Sequence, residues 1–171
     1  MTAARTIRPA TPDDIPFIMG TERLPGYEWV VGRWTEEQHR AALADPAQAC
    51  FVGEAAGRPF GFAILQHLDD PWGNVLLKRI AVREPGGGFG RSLMEAVSAW
   101  TFAQPRSHRL WLTVAPRNER GHKLYANVGF VEEGRMRQSH VAPDGRRFSP
   151  IVMSLLRPDY EVRGASGVRT Q

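Results

Sequence analysis

The chain is poor in cysteine, in long apolar runs and in any strong excess of one charge. Its single cysteine, Cys50, excludes an intrachain disulfide framework and any zinc or iron–sulfur site built from several cysteines. No run of 18 apolar residues occurs, and the opening Met1-Thr-Ala-Ala-Arg-Thr-Ile-Arg-Pro9 lacks the apolar centre of a signal peptide. A soluble, cytoplasmic protein with no membrane partner is therefore expected. The charge is nearly balanced: 22 basic against 18 acidic residues leave a formal +4. No basic run is longer than a pair such as Arg146-Arg147, so nucleic acid is not an expected partner. Repeats and low-complexity blocks are also missing, apart from the cluster Gly86-Gly87-Gly88.

What is present suits one domain of ordinary size: 171 residues, 42% of them hydrophobic. That domain is expected over residues 1–160. Residues 161–171 (EVRGASGVRTQ) show no apolar periodicity and read as a disordered tail. Within the domain two periods alternate. Thr6–Arg8 is extended, and Thr11-Pro12-Asp13-Asp14 opens a helix with a cap, a proline at the first helical position and acids in the first turn. Thr35-Glu-Glu-Gln38 matches a capping box for a second helix, closed by Asp45-Pro46. Cys50–Glu54 and Phe60–Leu68 flank Ala56-Gly-Arg-Pro59, a hairpin with a turn of about four or five residues. Val75–Val82 is a further strand and Gly88–Ala103 an amphipathic helix with Phe89, Leu93, Met94, Val97 and Trp100 on one face. Arg109–Val114 is a strand and Asn118–Val128 a helix stopped by Gly129. Phe130–Met136 and Ser149–Leu156 are strands joined across Pro143-Asp-Gly. The order β-α-α-β-β-β-α-β-α-β-β predicts a three-layer α/β/α fold on a mixed sheet.

The segment Val75–Met94 carries the strongest chemical signal: a strand runs into glycines and then into a helix with Arg91 in its first turn. Amide groups at a helix start have no partner within the helix, and glycine lets a bulky anion approach them. Two familiar phosphate loops do not fit. A GxGxxG pattern would need glycine at Arg91 or Leu93, and the Gly-Lys-Ser/Thr of a P-loop is missing. A loop that merely turns the chain is the plain alternative.

A second motif decides between them. Asn118-Glu-Arg-Gly-His-Lys-Leu-Tyr-Ala-Asn-Val-Gly-Phe130 fits Asn-x-x-small-x-x-Leu-Tyr-x-x-x-Gly-Phe at every defined position. With the glycine loop about 30 residues upstream, it resembles the GNAT superfamily of acetyl-CoA-dependent N-acyltransferases, as does the opening Ile7-Arg-Pro-Ala-Thr-Pro-Asp-Asp-Ile15. The resemblance implies a mostly antiparallel sheet of about seven strands with a central V-shaped splay. It implies acetyl-CoA as co-substrate without a metal, and often a homodimer. It places the cofactor at Gly86, Gly87, Gly88, Phe89, Gly90 and Arg91, at the strand end Ile80, Ala81 and Val82, and at Asn118 and Tyr125. One departure is visible. The family's loop usually opens on Arg or Gln, where this chain has Pro85, which lacks both the charge and the N–H.

The implied reaction transfers acetyl from acetyl-CoA to a primary amine of a small molecule or a protein N-terminus. Tyr125 is the expected proton donor to the departing thiolate. A buried tyrosine packed on the sheet and a plain helix cap at Asn118 are the structural alternatives. The general base is open. Some relatives carry a glutamate early in the strand, where this chain has Leu76. Glu22, Glu28, His67, Asp69, Asp70 or a water chain are the candidates. Tyr27, Trp29, Trp34 and Trp72 are candidates to wall the acceptor site or simply to pack. His140, Asp144, Arg146 and Arg147 surround the last hairpin, bordering the acceptor cleft or a dimer contact. A non-catalytic acyl-CoA-binding module of the same fold is the competing reading.

Overall fold

Capping residues and apolar spacing set the order of elements. In the computed structural model, which describes residues 4–166, β1 (Arg5–Pro9) leads through a 3-10 turn at Pro12–Asp14 into α1 (Ile15–Glu22) and α2 (Glu36–Ala44). Then come β2 (Ala49–Ala55), β3 (Arg58–Gln66), β4 (Asn74–Val82), α3 (Phe89–Ala103), β5 (Arg109–Val114) and α4 (Glu119–Val128). Next are β6 (Val131–Arg135), the short β7 (His140–Val141) and β8 (Arg147–Phe148), β9 (Ile151–Leu156) and α5 (Arg157–Ser166). The helix starts obey their caps. Asp14 accepts from the Thr11 N–H at 2.8 Å, and Thr35 and Gln38 exchange side-chain-to-backbone bonds of 3.2 and 2.9 Å.

Seven strands form one sheet in the order β1-β2-β3-β4-β5-β9-β6, antiparallel throughout except for the β4/β5 pair. Ile18 and Ala42 of α1 and α2 cover one face with Phe62 and Ile64. On the other face Leu93, Met94 and Val97 of α3 and Tyr125 and Val128 of α4 pack on Leu65, Leu77, Leu110 and Leu112. This is the expected three-layer α/β/α arrangement. Cys50 is buried in the first of these cores, and burial pushes its thiol up to about 11, so it stays protonated and inert.

Some local features depart from the sequence reading. The β2–β3 turn is shorter than expected: Ala56 and Gly57 both take positive φ (51° and 71°), and Arg58 and Pro59 already belong to β3. Two left-handed residues match the twist of the flanking strands, which a longer loop would not need to do. The link between β6 and β9 forms its own small hairpin, β7–β8. Residues 161–166, expected in a disordered tail, continue α5, anchored where Tyr160 packs 4.9 Å from Phe102. Apolar periodicity missed this helix because one ring and the Arg157 contacts to the carbonyls of Phe102, Gln104 and Ser107 hold it. Gly167–Gln171, the rest of that stretch, lie outside the described residues.

Candidate active site

The site begins where two parallel strands part. β4 and β5 pair only at Asn74↔Arg109, Val75↔Leu110 and Leu76↔Trp111, so from Leu77 onward β4 leaves one edge open. On its other edge β4 pairs with β3, and the register shifts between Ile64↔Arg79 and Leu65↔Leu77. Lys78 is the extra residue of this bulge. The bulge reverses the alternation, so Leu77 enters the α3 core while Arg79 turns toward α1 and α2. Arg83 N–H donates to Phe60 C=O at 2.7 Å, so in an antiparallel ladder Ala81 also pairs with β3 while Ile80 and Val82 aim their N–H and C=O at the open edge. Of the three strand residues expected at the cofactor, Ala81 also lines the cavity beside the glycine loop, but its amide is spent in the sheet and its side chain packs into the α1/α2 core. The Val82 carbonyl already accepts from the Tyr27 hydroxyl at 2.6 Å.

Gly86, Gly87 and Gly88 follow with φ of 116°, 56° and 76°. Three successive left-handed residues are a conformation only glycine holds without strain. They turn the chain so that the start of α3 faces a cavity of about 270 Å³ lined by Pro85, Gly86, Gly88, Gly90 and Arg91. Gly87 and Phe89 do not line it. The Gly87 carbonyl accepts from Arg5 at 2.7 Å, and the Phe89 ring packs 4.9 Å from Phe60 under the Arg5 guanidinium. These two residues brace the loop from behind. Arg91 is held by Glu95 at 2.7 Å on the exposed first turn.

The same cavity is closed by Tyr27, Ile80, Val82, Asn118, Arg120, Leu124 and Tyr125. Asn118 caps α4, accepting from the Gly121 N–H at 2.9 Å, and also lines the cavity, so both readings of that residue hold geometrically. Asn118→Ala is expected to cost about 1 kcal/mol of stability in urea unfolding. Tyr125 is buried, its pKa pushed up to about 12 by that burial, and its hydroxyl has no hydrogen-bond partner among the described residues. It lines a narrow passage, with Val31, Lys78 and Ile80, that joins the first cavity to a larger one of about 410 Å³.

The larger cavity is walled by Glu28, Trp29, Leu76, Lys78, Trp111, Met136, His140 and Phe148, among others. Of the candidate bases only Glu28 is there. Glu22 is fully buried on the α1/α2 face, where Arg79 donates to it at 2.6 Å and His39 sits 3.2 Å away. Burial alone would raise its carboxyl, but His39 and Arg79 outweigh that and hold it below the usual range. It is a structural anion. His67, Asp69 and Asp70 lie before the start of β4, roughly 25 Å along that strand from Val82. Asp70 is occupied there, accepting from the Trp72 and Asn74 amides at 3.0 and 2.9 Å. Trp34 packs on Arg79 at 4.6 Å and Trp72 is 79% exposed, so of the four aromatic candidates Trp29 lines the larger cavity and Tyr27 the first one. His140 joins the wall, and burial together with the nearby Lys78 charge lowers its pKa. Among the described residues no group of three or more His, Cys, Asp or Glu is placed to hold a metal ion, and no helix is long and apolar enough to cross a membrane.

The family model described as "Acetyltransferase (GNAT) family" matches residues 18–130, the span from α1 through the glycine loop to the end of the Asn118 motif. The chain belongs to the GNAT acetyltransferase family. A spermidine N(1)-acetyltransferase of Vibrio cholerae is 37% identical over 57 residues, 33% of each chain. An uncharacterized N-acetyltransferase of Mycobacterium tuberculosis is 34% identical over 94 residues, 54% of this chain and 58% of that protein. This GNAT chain therefore matches less than two thirds of the length of either relative. The crystal structure of the Vibrio cholerae spermidine N-acetyltransferase in complex with CoA and spermine superposes with a TM-score of 0.81, covering 92% of this chain and 98% of that one at 24% identity, a likeness of fold. Sequence reasoning missed the Tyr27 hydroxyl and Arg120. Arg120 stands two residues into the GNAT motif helix, facing the glycine loop, and that spacing was its only signal.

Proposed function

We propose that this chain transfers the acetyl group of acetyl-CoA to an amine. The observation that carries the reading is the row of adjoining cavities along the open β4 edge, the one at the glycine loop sharing Ile80 and Tyr125 with the small middle one, and that one sharing Lys78 with the larger cavity beyond. The residues suit the co-substrate. Amide N–H groups at the α3 start donate to pyrophosphate oxygens, and the outward Ile80 and Val82 groups pair with the amides of a pantetheine arm. The thioester supplies an activated acyl group: the amine nitrogen forms a bond to the carbonyl carbon, the carbon–sulfur bond breaks, and an acetamide and the CoA thiol result.

Tyr125 supplies the proton to the departing sulfur: its hydroxyl is protonated at neutral pH, has no other partner among the described residues and stands between the two cavities. The amine's own proton leaves through Glu28, His140 or water. A His140 pKa below the ordinary histidine value leaves the imidazole neutral and able to accept. Lys78, at the passage, disfavours a second cation beside it and so shifts an incoming ammonium toward the nucleophilic free base. The same reading puts the protein in the cytoplasm, with acetyl-CoA and an amine as its partners and without nucleic acid or membrane. It also makes the chain a homodimer, for which the edge strand β6 with its exposed Val131 offers a contact.

Calorimetric titration with acetyl-CoA, followed by thiol release across a panel of amines, tests the reading. Micromolar binding and amine-dependent release support it. Binding without release for any acceptor would make the chain a non-catalytic acyl-CoA binder. Gly86→Val, which forces a β-branched residue to φ near 116°, is expected to weaken acetyl-CoA binding about tenfold by displacing the cradle. Unchanged affinity would place the pyrophosphate elsewhere.

A further inference from the structure

The acceptor cavity does not end at its aromatic wall. A further cavity of about 300 Å³ shares Trp29, Ala115, Ala142 and Phe148 with it and opens outward between the α1–α2 loop and the β7–β8 hairpin. Its charged residues are Arg117, Arg146, Arg147 and Asp144. Asp144 pairs with Arg146, 2.9 Å away, and the more distant Arg117 charge acts on it only weakly. Arg147 donates only to the Gln138 carbonyl at 3.2 Å. Arg117 has no carboxylate within ion-pair distance among the described residues, yet its guanidinium is held 4.2 Å over the Trp29 ring. Stacking fixes the plane of the guanidinium and leaves its edge donors free, the geometry that takes a carboxylate with two parallel hydrogen bonds. Lys78 further in adds another cation without a salt-bridge partner, and Glu28 is the one carboxylate on the acceptor wall.

We propose that the acceptor is an amine that carries a carboxylate at the far end of an apolar body, an ω-amino acid or a close analogue, with the carboxylate held by Arg117 and Arg147 over Trp29. The inference rests on the acetyltransferase reading and narrows it. The aromatic and aliphatic wall of Trp29, Trp111, Met136 and Phe148 takes the apolar body of the molecule, and the amine reaches inward to the passage at Lys78 and Tyr125. A polyamine fits this charge pattern badly, because its second and third ammonium groups would lie among Lys78, Arg117 and Arg147. The anion held here is not the CoA pyrophosphate, since the basic cavity shares no residue with the one beside the glycine loop.

The test compares 6-aminohexanoate and its shorter and longer homologues with their amides, with 6-aminohexyl phosphate and with spermidine, in the full chain and in Arg117→Gln. The best acceptor is expected to carry a carboxylate, to exceed its own amide at least tenfold in kcat/KM, and to lose about tenfold of that preference in Arg117→Gln. A best acceptor that is spermidine or a neutral amide overturns the proposal, as does an Arg117→Gln variant with the preference intact. The phosphate as the best acceptor keeps an anion subsite but overturns the carboxylate assignment. Binding of N-acetyl-6-aminohexanoate and of its amide to the CoA-saturated protein is measured by calorimetry as a readout without turnover. Equal binding of the two, or none, overturns the inference. The Kd for CoA is followed in the same variant, and a matching loss there would assign Arg117 to the CoA phosphates instead. If CoA fails to bind while N-acetyl-6-aminohexanoate binds to the free protein in an Arg117-dependent way, the acetyltransferase reading falls and the carboxylate site stands.

Discussion

Phenylalanine in place of Tyr125 is expected to cut kcat by about 10²- to 10³-fold, the span of a general acid. The KM for acetyl-CoA is expected to stay within about twofold, as when an interaction made only in the transition state is removed. The substitution isolates one atom. The Tyr125 ring packs in the α3/α4 core, 6.1 Å from Phe130, and phenylalanine preserves that packing. Its hydroxyl holds no protein partner among the described residues, so its loss leaves no orphaned group behind. Urea midpoints of the two proteins should therefore coincide. The pH dependence supplies an independent check. Burial pushes the hydroxyl pKa up to about 12, so the donor keeps its proton below that value and loses it only as pH rises through it. A fall in kcat between pH 8 and about 10 must then come from another group, and it should persist in Tyr125→Phe. An unchanged kcat in that variant would assign the proton to water.

The second large effect concerns stability. Arg79→Leu is expected to cost about 3–5 kcal/mol, because it strands a buried carboxylate. Arg79 reaches Glu22 at 2.6 Å from a position where both side chains are almost fully excluded from water, and Gly32 packs so close that a Cβ there would stand 2.5 Å from the guanidinium. Desolvation lowers the Arg79 pKa and would raise that of Glu22; the ion pair and His39 are what hold the carboxylate charged. The double variant Glu22→Gln/Arg79→Leu should recover a large part of the loss, since it removes the stranded charge as well. The pH window follows from the direction of the shift. A carboxyl held below its ordinary value of 4.5 stabilises the fold above that pH, and this contribution disappears as pH falls through the lower folded-state value. The gap between the native chain and Arg79→Leu should accordingly narrow below about pH 4. Urea unfolding at pH 7 and pH 3.5 checks this, and a single variant no less stable than the double one would contradict it. Because Arg79 follows the bulged Lys78, the same variant should also raise the acceptor KM through a displaced ammonium.

Those two residues differ in how far the chain announces them. Tyr125 is visible in the linear sequence because Asn118, Leu124, Gly129 and Phe130 surround it within one helix and its caps, all governed by local backbone rules. The glycine loop is legible for the same reason: three glycines between a strand and a helix have few uses other than positive φ. Capping boxes, element order and the three-layer architecture belong to the same local class. Arg79 and Glu22 do not, since 57 residues separate them and either could have been solvated. Spacing placed Lys78 and Arg79 on opposite sides of one strand, and only the β3 register shows a bulge that sends one to the acceptor passage and the other into the core.

One cysteine, the lack of long apolar runs and a nearly balanced charge excluded several classes at the outset, and local chemistry in the sequence by itself determined the fold class and the glycine loop between β4 and α3. Tertiary structure decided the rest. It moved Glu22 from candidate base to buried anion, put His67, Asp69 and Asp70 at the far end of β4, and brought His140 and Arg117 to the acceptor side. The physical reason is one of range. Caps and turns are satisfied by neighbours along the chain, whereas the charge a side chain faces and the cavity it lines depend on strand register and on which elements the sheet brings together.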